Sequence, residues 1–570
     1  MPMARPGSVL RAVNYANLDA EKILQGFGKF GAYQMFVYAM ANIGLFLFVC
    51  ETMIISLISE SPDFECIDDA FVNSTTALNV CEYTSPLTKT TTQCSKFRYP
   101  NGKQQFLTSD FDLVCEKASY AEHSTMVFMV GSMMVTPLIT WLADLYGRRK
   151  TYLASIWVTV AANIGCTFAP TYVTFLIFRF FAGVGTAGVG SIGFVIILET
   201  VAPSFRAHTS YVSTFVWVFG YTMTGVVHML ADGWRRQFFI LIVPFVLTVS
   251  YYWLLPESLH WLVTKKKHQQ VHSYIEKSSK FNKKHLDLET CRSNSSNDVK
   301  TNANAETANH LGSHAAINVE KVKQRHIIDI FRSGPILFQV FTHCYINIVM
   351  NFTYWALSLY SVDLHENKMV GYFLSGFVEL PAGLAIFLLY YFGRRTVTSM
   401  ALMSQAIAMF VACFFPGKNV TGMSLFLLAK VFNSVAWIAE PLLVGEMSPT
   451  SMRNMIYGVI GFVGETGSAV APYFNQLKVI DERAPAIVVA TLSLVASVFA
   501  LCSPETKDVA MPEDIDDFNP GPVYRFLFGG KANASSPAKF SKKAKEDTAN
   551  EATVTLLSKD SDKKDPKTEV

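Results

Sequence analysis

The chain has 570 residues, of which 51% are hydrophobic and 16% are charged. Soluble domains carry about a quarter charged residues, so this composition excludes an ordinary soluble protein and indicates a membrane protein. The formal net charge of +3 gives no sign of a nucleic-acid partner.

Twelve apolar stretches each approach the roughly 20 residues that cross a bilayer as a helix. They predict an all-α membrane protein with twelve transmembrane helices. The first 28 residues are polar, so we expect no cleavable signal peptide and a first span that acts as its own insertion signal. The predicted spans are 30–57, 122–143, 151–168, 171–198, 208–231, 236–255, 336–361, 369–391, 397–415, 422–445, 455–477 and 485–502.

Basic clusters set the predicted orientation. Gly147-Arg148-Arg149-Lys150, Lys265-Lys266-Lys267 and Gly393-Arg394-Arg395 all fall inside when the N-terminus is cytoplasmic, as the positive-inside rule requires. Arg235 and Arg236 fall outside and are an exception. We therefore expect a multi-pass plasma-membrane protein with a cytoplasmic N-terminus (1–28), a first helix (29–58), an extracellular loop (59–121), helices 2–6 (122–262), a cytoplasmic linker (263–335), helices 7–12 (336–503) and a cytoplasmic tail (504–570).

The extracellular loop holds four of the ten cysteines, namely Cys66, Cys81, Cys94 and Cys115. An even number of cysteines in an oxidising compartment predicts two disulfides, for which three pairings are open. Asn73 begins a glycosylation sequon in the same loop, so we expect a glycoprotein.

The linker and the tail are polar. The Lys-rich start of the linker predicts short helices on the cytoplasmic face, whereas the composition of about 290–318 predicts disorder. The tail ends with Thr568 two places before the terminal Val570, a pattern that predicts strand addition to a PDZ-domain protein.

Five ionisable residues lie inside predicted spans, where charge is costly and indicates function by default. They are Arg179 in the fourth span, Glu379 in the eighth, Lys430 and Glu440 in the tenth, and Glu465 in the eleventh. The second half thus holds three acids and one base, so a substrate cation is an economical partner for an unpaired acid. Glu379 and Lys430 either pair with each other or contact substrate, whereas Glu440 and Arg179 are candidates for charge coupling or structural pairing.

Aromatic side chains of the fifth and seventh spans are further candidates, because cations bind the faces of aromatic rings. Most aromatics of a membrane protein face lipid or packing partners instead. The candidates for substrate binding are Trp217, Phe219, Tyr221, Tyr354, Trp355 and Tyr360.

An internal repeat divides the chain into two six-helix halves. Gly147 and Gly393, Glu199 and Glu446, and Pro256 and Pro504 are separated by 246, 247 and 248 residues. Each motif falls at the cytoplasmic end of a helix, where arginines and carboxylates can pair when the inner side closes. The predicted cytoplasmic gate comprises Asp144, Arg148, Arg149, Glu199, Arg206, Arg394, Arg395, Glu446 and Arg453.

These motifs resemble the organic cation and carnitine transporter family of the major facilitator superfamily, up to about residue 507. The resemblance rests on the signature from Asp144 to Arg149, the cysteine-bearing loop that closes with Asp112-Leu113-Val114-Cys115, and Glu379-Leu380-Pro381. The chain departs from the family at Leu259-His260, where Pro-Arg is usual, and at Ser448, where an aromatic is usual.

The resemblance implies a transporter whose two halves alternate access to a central cavity, and it implies that the fifth and seventh helices, which carry the aromatic candidates, line that cavity. In this family the position of Glu465 carries an acid in cation transporters and an arginine in anion and carnitine members. The resemblance therefore favours small organic cations as substrates of this chain.

Two alternatives to cation transport remain open at the level of sequence. One is a carrier of carnitine-like zwitterions, with or without coupling of transport to an ion. The other is a non-transporting membrane scaffold. No ATP-binding loop, nucleophile elbow or metal-spaced Cys/His cluster occurs in the sequence, so we expect neither an enzyme nor a bound cofactor or metal.

Overall fold

A computed structural model describes residues 18–67, 81–84, 91–286, 291, 327–360, 365–416, 419–509, 511–512 and 514–529. These ranges form two six-helix halves. The first half contains α1 (Ala20–Gly26), α2 (Ala32–Ile58), β1 (Glu65–Cys66), β2 (Glu82–Thr84), β3 (Thr91–Gln93), β4 (Phe97–Arg98), α3 (Leu107–Asp110), α4 (Tyr120–Tyr146), α5 (Arg148–Thr167), α6 (Tyr172–Thr200), α7 (Pro203–Leu230), α8 (Trp234–Leu247) and α9 (Tyr251–Leu254).

Two short helices of the linker follow, and then the second half. The linker helices are α10 (Leu259–Thr264) and α11 (His268–Asn282). The second half contains α12 (Ile327–Arg332), α13 (Gly334–Tyr360), α14 (Lys368–Phe377), α15 (Ala385–Tyr391), α16 (Arg394–Ala412), α17 (Val420–Met447), α18 (Arg453–Val470), α19 (Ala484–Cys502) and α20 (Gly521–Phe528).

Length and composition mark eight helical segments of the described chain as able to cross a membrane. The other four spans are α5, α7, α16 and α18. Each of them carries arginine in its first turn, and α18 also carries Glu465, which lowers its mean hydropathy. Twelve spans in two halves are the predicted architecture.

Proline breaks the eighth span near its middle. Pro381 lacks the N–H that an α-helix requires, and the chain passes through a 3₁₀ segment, Leu380–Leu384, between α14 and α15. Glu379 therefore sits at the junction of the two helical pieces, at the end of α14.

The loop between α2 and α4, predicted to be extracellular, is folded in its described residues and docks on the first half. Disulfides join Cys66 to Cys94 and Cys81 to Cys115. Strand β1 pairs with β4 and β2 with β3, both antiparallel. The loop is fastened by Asp110, whose carboxylate lies 2.9 Å from Arg235. Loop carboxylate and arginine thus neutralise each other, which accounts for a basic residue on the outer side.

Candidate functional site

The two halves meet at the outer side and in the middle of the molecule. Lys368 of α14 lies 2.5 Å from Glu60, which follows α2. Deeper in, the rings of Tyr221 on α7 and Tyr372 on α14 are 4.5 Å apart. These contacts hold the two halves together on the side of the disulfide-bonded loop. We refer to the space between the halves on that side as the outer entrance, which these contacts close.

At the cytoplasmic side, the gate residues of the first half form one network. Arg148 Nη1 lies 2.6 Å from Asp144, and its Nε lies 3.3 Å from Glu199 Oε2. The Ser258 hydroxyl donates to Glu199 at 2.5 Å. The network ties the α4–α5 turn to the ends of α6 and α9.

The second half repeats this arrangement. Arg394 lies 3.0 Å from Glu446, and the Thr506 hydroxyl donates to Glu446 at 2.6 Å. Tyr390, 246 residues after Asp144, is largely exposed, so this half lacks the counterpart of the Asp144 contact. The predicted repeat therefore corresponds to repeated geometry.

Glu257 and Glu505 complete the two networks, and the sequence analysis did not place them in the gate. Glu257 Oε1 accepts from the Arg149 N–H at 2.9 Å, and Glu505 Oε1 accepts from the Arg394 N–H at 2.9 Å. Gly147 and Gly393 adopt φ of 110° and 87°, and a Cβ there would lie 2.3 and 2.7 Å from these carboxylates. The sequence could have indicated both acids, because each directly follows one of the repeated prolines, Pro256 and Pro504.

Arg206 and Arg453 have other partners than the neighbouring acids Glu199 and Glu446. Arg206 lies 2.8 Å from Glu21 of α1, and Arg453 donates to the Ser448 carbonyl. These pairs join elements of the same half. Whether they act as a gate stays a prediction.

His260 is half-buried beside the first of these networks. Its Nδ1 lies 3.1 Å from the Glu199 carbonyl, while Nε2 has no hydrogen-bond partner. Burial lowers the pKa of His260 below its ordinary value of 6.5, against the attraction of Glu199 and Glu21, and Arg206 lowers it further.

Acidification is expected to loosen this network. The folded protein binds fewer protons than the unfolded chain, so stability is complete above pH 6.5 and falls as the pH drops toward the folded pKa. The melting temperature should fall between pH 7.5 and pH 5.5, and by less in His260→Gln. The exposed His268→Gln serves as control and should behave like the parent; an unchanged fall in His260→Gln contradicts the assignment.

A polar cluster at the centre of the molecule joins both halves. Lys430 Nζ lies 2.8 Å from Glu379 Oε1 and 2.7 Å from the Ser375 hydroxyl. The Tyr354 hydroxyl donates to the same Glu379 oxygen at 3.0 Å, and the Trp217 indole donates to Tyr354 at 3.0 Å. The two charges are thus paired with each other, which favours the structural alternative for Glu379 and Lys430.

The aromatic candidates divide between this cluster and other places. The Lys430 ammonium lies 4.9 Å from the Tyr221 ring centroid, so Tyr221 belongs to the cluster with Trp217 and Tyr354. Trp355 packs against apolar clusters that include Phe128 of the first half. Phe219 and Tyr360 do not belong to this cluster.

Two of the aromatic candidates lie outside the central cluster. Phe219 is 59% exposed, and its ring centroid lies 5.4 Å from that of Phe46 on α2. Tyr360 stacks on Phe426 at 4.9 Å and packs on Phe474 in the core of the second half. The cause is helical phase, since a residue two positions along a helix points about 200° away.

Neutralising one member of the central ion pair is expected to destabilise the fold moderately. In Glu379→Gln, Lys430 keeps its bonds to the Ser375 hydroxyl and carbonyl but loses its counter-ion, so the loss should be about 3 kcal/mol, the lower end of the range for breaking a buried ion pair. The double variant Glu379→Gln/Lys430→Met should recover stability, because no unpaired charge remains. Thermal melting of purified protein measures this; a double variant no better than the single one argues against pairing.

Glu440 is also paired. Its Oε1 lies 3.1 Å from Nδ1 of His343 on α13, and both side chains are fully buried. His343 Nε2 lies 3.0 Å from the Ser503 hydroxyl. This chain of polar groups joins α17, α13 and the end of α19, which indicates a structural role for Glu440.

Arg179 pairs with Glu51, a residue that the sequence analysis did not single out. Arg179 Nη1 lies 2.6 Å from Glu51 Oε1, and Asn163 donates to Oε2 at 2.7 Å. The Arg179 guanidinium also lies 4.2 Å from the Phe128 ring centroid. The signal was present, since Glu51 is an acid within the first predicted span.

Glu465 differs from these acids. No basic nitrogen of the described residues lies within 4.0 Å of its carboxylate, whereas Glu51, Glu379 and Glu440 each have such a partner. Close packing of Gly464 on Asn347 holds α18 against α13. Glu465 lies beside this contact and is only half-buried.

Open space lies along the same face of α18. Gly458 and Gly461 precede Glu465 by seven and four residues, which puts all three on one side of the helix. A Cβ at either glycine would meet no atom within 4 Å. One turn beyond Glu465, Ala469 packs against the cluster of Phe128 in the first half. The carboxylate therefore stands where the space between the halves ends.

Three predictions lie outside the described residues: the sequon at Asn73, the disorder of the segment 290–318 apart from residue 291, and the tail motif with Thr568 and Val570. Within the described part of the chain, no group of three or more His, Cys, Asp or Glu side chains could hold a metal ion.

Comparison with known proteins adds independent findings. A sequence model of the Major Facilitator Superfamily matches residues 117–472. A Caenorhabditis elegans protein that is named as a transporter, without a substrate, is 24% identical over 554 residues, which are 94% of this chain and 91% of that protein. The organic cation transporter protein of Drosophila melanogaster is 26% identical over 440 residues, 75% of this chain and 76% of that protein. The inward-open xylose transporter XylE from E. coli has the same fold, with a TM-score of 0.54, 14% identity, and 83% and 97% coverage.

Proposed function

This chain belongs to the major facilitator superfamily, and from that premise we propose that it carries small organic cations across the plasma membrane by alternating access. One observation carries the proposal: Glu465 has no basic partner in the described residues and lies on the same side of α18 as Gly458 and Gly461, which border open space. A carboxylate without a counter-ion in a partly hydrated cavity attracts a cation by Coulomb forces. The similarity to an organic cation transporter protein supports the same substrate class.

The contacts between the halves support the transport cycle. The outer entrance is closed by Lys368 and Glu60 at 2.5 Å, while α18 borders open space toward its cytoplasmic end. In an alternating cycle these outer contacts separate, and the Trp217–Tyr354 bond between the halves breaks or shifts. The cytoplasmic networks stay within one half each, so they keep each half rigid while the halves rock.

The central aromatic residues supply the second element of recognition. The rings of Tyr221 and Tyr354 face the Lys430 ammonium at the meeting of the halves, and the Trp217 indole donates to the Tyr354 hydroxyl. Rings that already face one ammonium can face a substrate ammonium on the cavity side, at a gain of about 0.5–2 kcal/mol for each contact. Glu465 would then supply charge and the rings would supply shape.

Uptake measurements test the proposal directly. Cells that express the protein should take up labelled tetraethylammonium saturably, and unlabelled cation on the far side should accelerate its exit. An organic anion should neither be transported nor compete. Transport of carnitine without transport of tetraethylammonium would instead favour the zwitterion carrier, and no uptake of any solute at normal surface expression would favour a scaffold.

The location of the protein and its orientation in the membrane are also proposed. We propose a plasma-membrane location with both termini cytoplasmic, consistent with Arg148, Arg149, Arg394 and Arg395 on one side and the disulfides on the other. The Thr568–Val570 terminus would bind a PDZ-domain protein on the cytoplasmic side.

A further inference from the structure

A basic cleft lies on the cytoplasmic face of the first half, away from Glu465 and the contacts between the halves. The cavity has a volume of about 570 Å³ and is bounded by α11, the α4–α5 turn and the end of the sixth span. Its basic side chains are Arg149, Lys150, Lys267 and Lys277, and Glu257 is its acidic one. We refer to it as the cytoplasmic cleft.

The positive charge of the cytoplasmic cleft is not neutralised within the described residues. No carboxylate lies within 4.0 Å of the ammonium groups of Lys150, Lys267 and Lys277. The Nε of Arg149 is buried without a hydrogen-bond partner. Glu257 is occupied, because its Oε1 accepts from two backbone N–H groups at 2.9 and 3.1 Å. The positive charge of the cleft therefore exceeds that of its one lining carboxylate.

Helix α11 presents one face to the cleft. Lys267, Gln270, Tyr274 and Lys277 all line it, and their spacing of three and four residues places them on a single side. Tyr274 is buried and packs edge-on against Tyr33 of α2 at 5.7 Å. This contact fixes α11 against the membrane domain, so the lysines are held at the cleft by a packed helix.

The opposite wall marks the level of the bilayer surface. Tyr252 and Trp253 line the cleft at the cytoplasmic end of the sixth span and are 50% and 72% exposed. Tyr and Trp concentrate at the membrane–water interface. An anion in the cleft would therefore lie beside lipid headgroups of the inner leaflet.

We propose that the cytoplasmic cleft binds the phosphorylated headgroup of an anionic phospholipid of the inner leaflet. Phosphate oxygens match the donors of arginine and lysine, and basic pockets at this depth suit phosphoinositide headgroups. Four basic side chains against the single carboxylate of Glu257 leave an excess of positive charge that a headgroup of single net charge cannot balance, so the cleft favours a headgroup with phosphomonoesters. The bound headgroup would join α11 to the Arg149 turn, which is part of the cytoplasmic network of the first half.

Binding of labelled phosphatidylinositol bisphosphate to the purified full-length protein tests the proposal. Lys267→Gln/Lys277→Gln should weaken binding by about tenfold or more. Lys265→Gln/Lys280→Gln is the matched control, because it removes the same charge from exposed lysines of the same segment that do not line the cleft. The control should bind as the parent does, and all three proteins should melt alike without lipid.

Several outcomes overturn the proposal. Equal weakening in both double variants would indicate diffuse surface electrostatics rather than a cleft. Equal binding of phosphatidylserine would contradict selection for phosphomonoesters. Inositol trisphosphate that binds as tightly as the lipid would show that the ligand is a soluble phosphate. Transport of tetraethylammonium is measured separately, so these outcomes are independent of the proposed function.

Discussion

We expect the Arg179→Gln variant to fold poorly, so that little folded protein reaches the membrane. Arg179 and Glu51 are 0% and 1% exposed, and their charged atoms are 2.6 Å apart. Removing one partner leaves the other charge buried and uncompensated, which costs about 3–5 kcal/mol. Since natural proteins are stable by only about 5–15 kcal/mol, the loss should be visible as low surface expression and a lower melting temperature.

The matched comparisons for this prediction use the same charge change elsewhere. Arg206 also pairs with a glutamate, at 2.8 Å, but the two side chains are 35% and 47% exposed. Arg206→Gln should therefore cost about 1 kcal/mol or less. The double variant Glu51→Leu/Arg179→Met should restore folding, because it removes both charges from the interior. If Arg179→Gln folds as well as Arg206→Gln, the buried pair is not a stabilising element.

A double variant that folds also separates structure from transport. Glu51→Leu/Arg179→Met retains Glu465 and the central cluster around Lys430. If the pair is structural, cation uptake per surface molecule should survive in this variant. Folded protein without uptake would instead give Glu51 and Arg179 a part in the transport cycle.

The spans and the repeat could be predicted from sequence because they rest on local patterns. Apolar length decides where the bilayer is crossed, and the offsets between Gly147 and Gly393 or Glu199 and Glu446 need only counting. The match of residues 117–472 confirms the predicted superfamily. Local patterns also indicated that charges inside spans need partners.

The identity of those partners could not be predicted, because pairing depends on helix rotation and on which helices touch. Arg179 could have met an acid of the second half, but its partner Glu51 lies on α2 of the same half. Glu199 stands seven residues before Arg206, yet it pairs with Arg148 across the α4–α5 turn. Tyr360 was expected in the cavity, and its helical phase directs it into the core instead.

The unpaired state of Glu465 therefore comes from the structure, and it sharpens a prediction about charge. Glu465→Gln keeps the shape of the side chain and removes its charge. A cation in a partly hydrated cavity should lose about 1–3 kcal/mol of binding, a roughly 5- to 150-fold weakening. Glu465→Asp keeps the charge and should retain most of the affinity, whereas Glu465→Arg should bind cations worst, because repulsion adds to the lost attraction.

Concentration-dependent uptake of tetraethylammonium, normalised to surface-labelled protein, measures this effect. The charge-matched control is Glu482→Gln, at an exposed position after the eleventh span, which should leave affinity unchanged. A structural role for Glu465 predicts reduced surface delivery with normal affinity per molecule. The described residues include no buried cation that pairs with this carboxylate, which argues against that role. If affinity survives in Glu465→Gln, charge selection must lie with Glu379 or Glu440, and their partners Lys430 and His343 must then release them during transport.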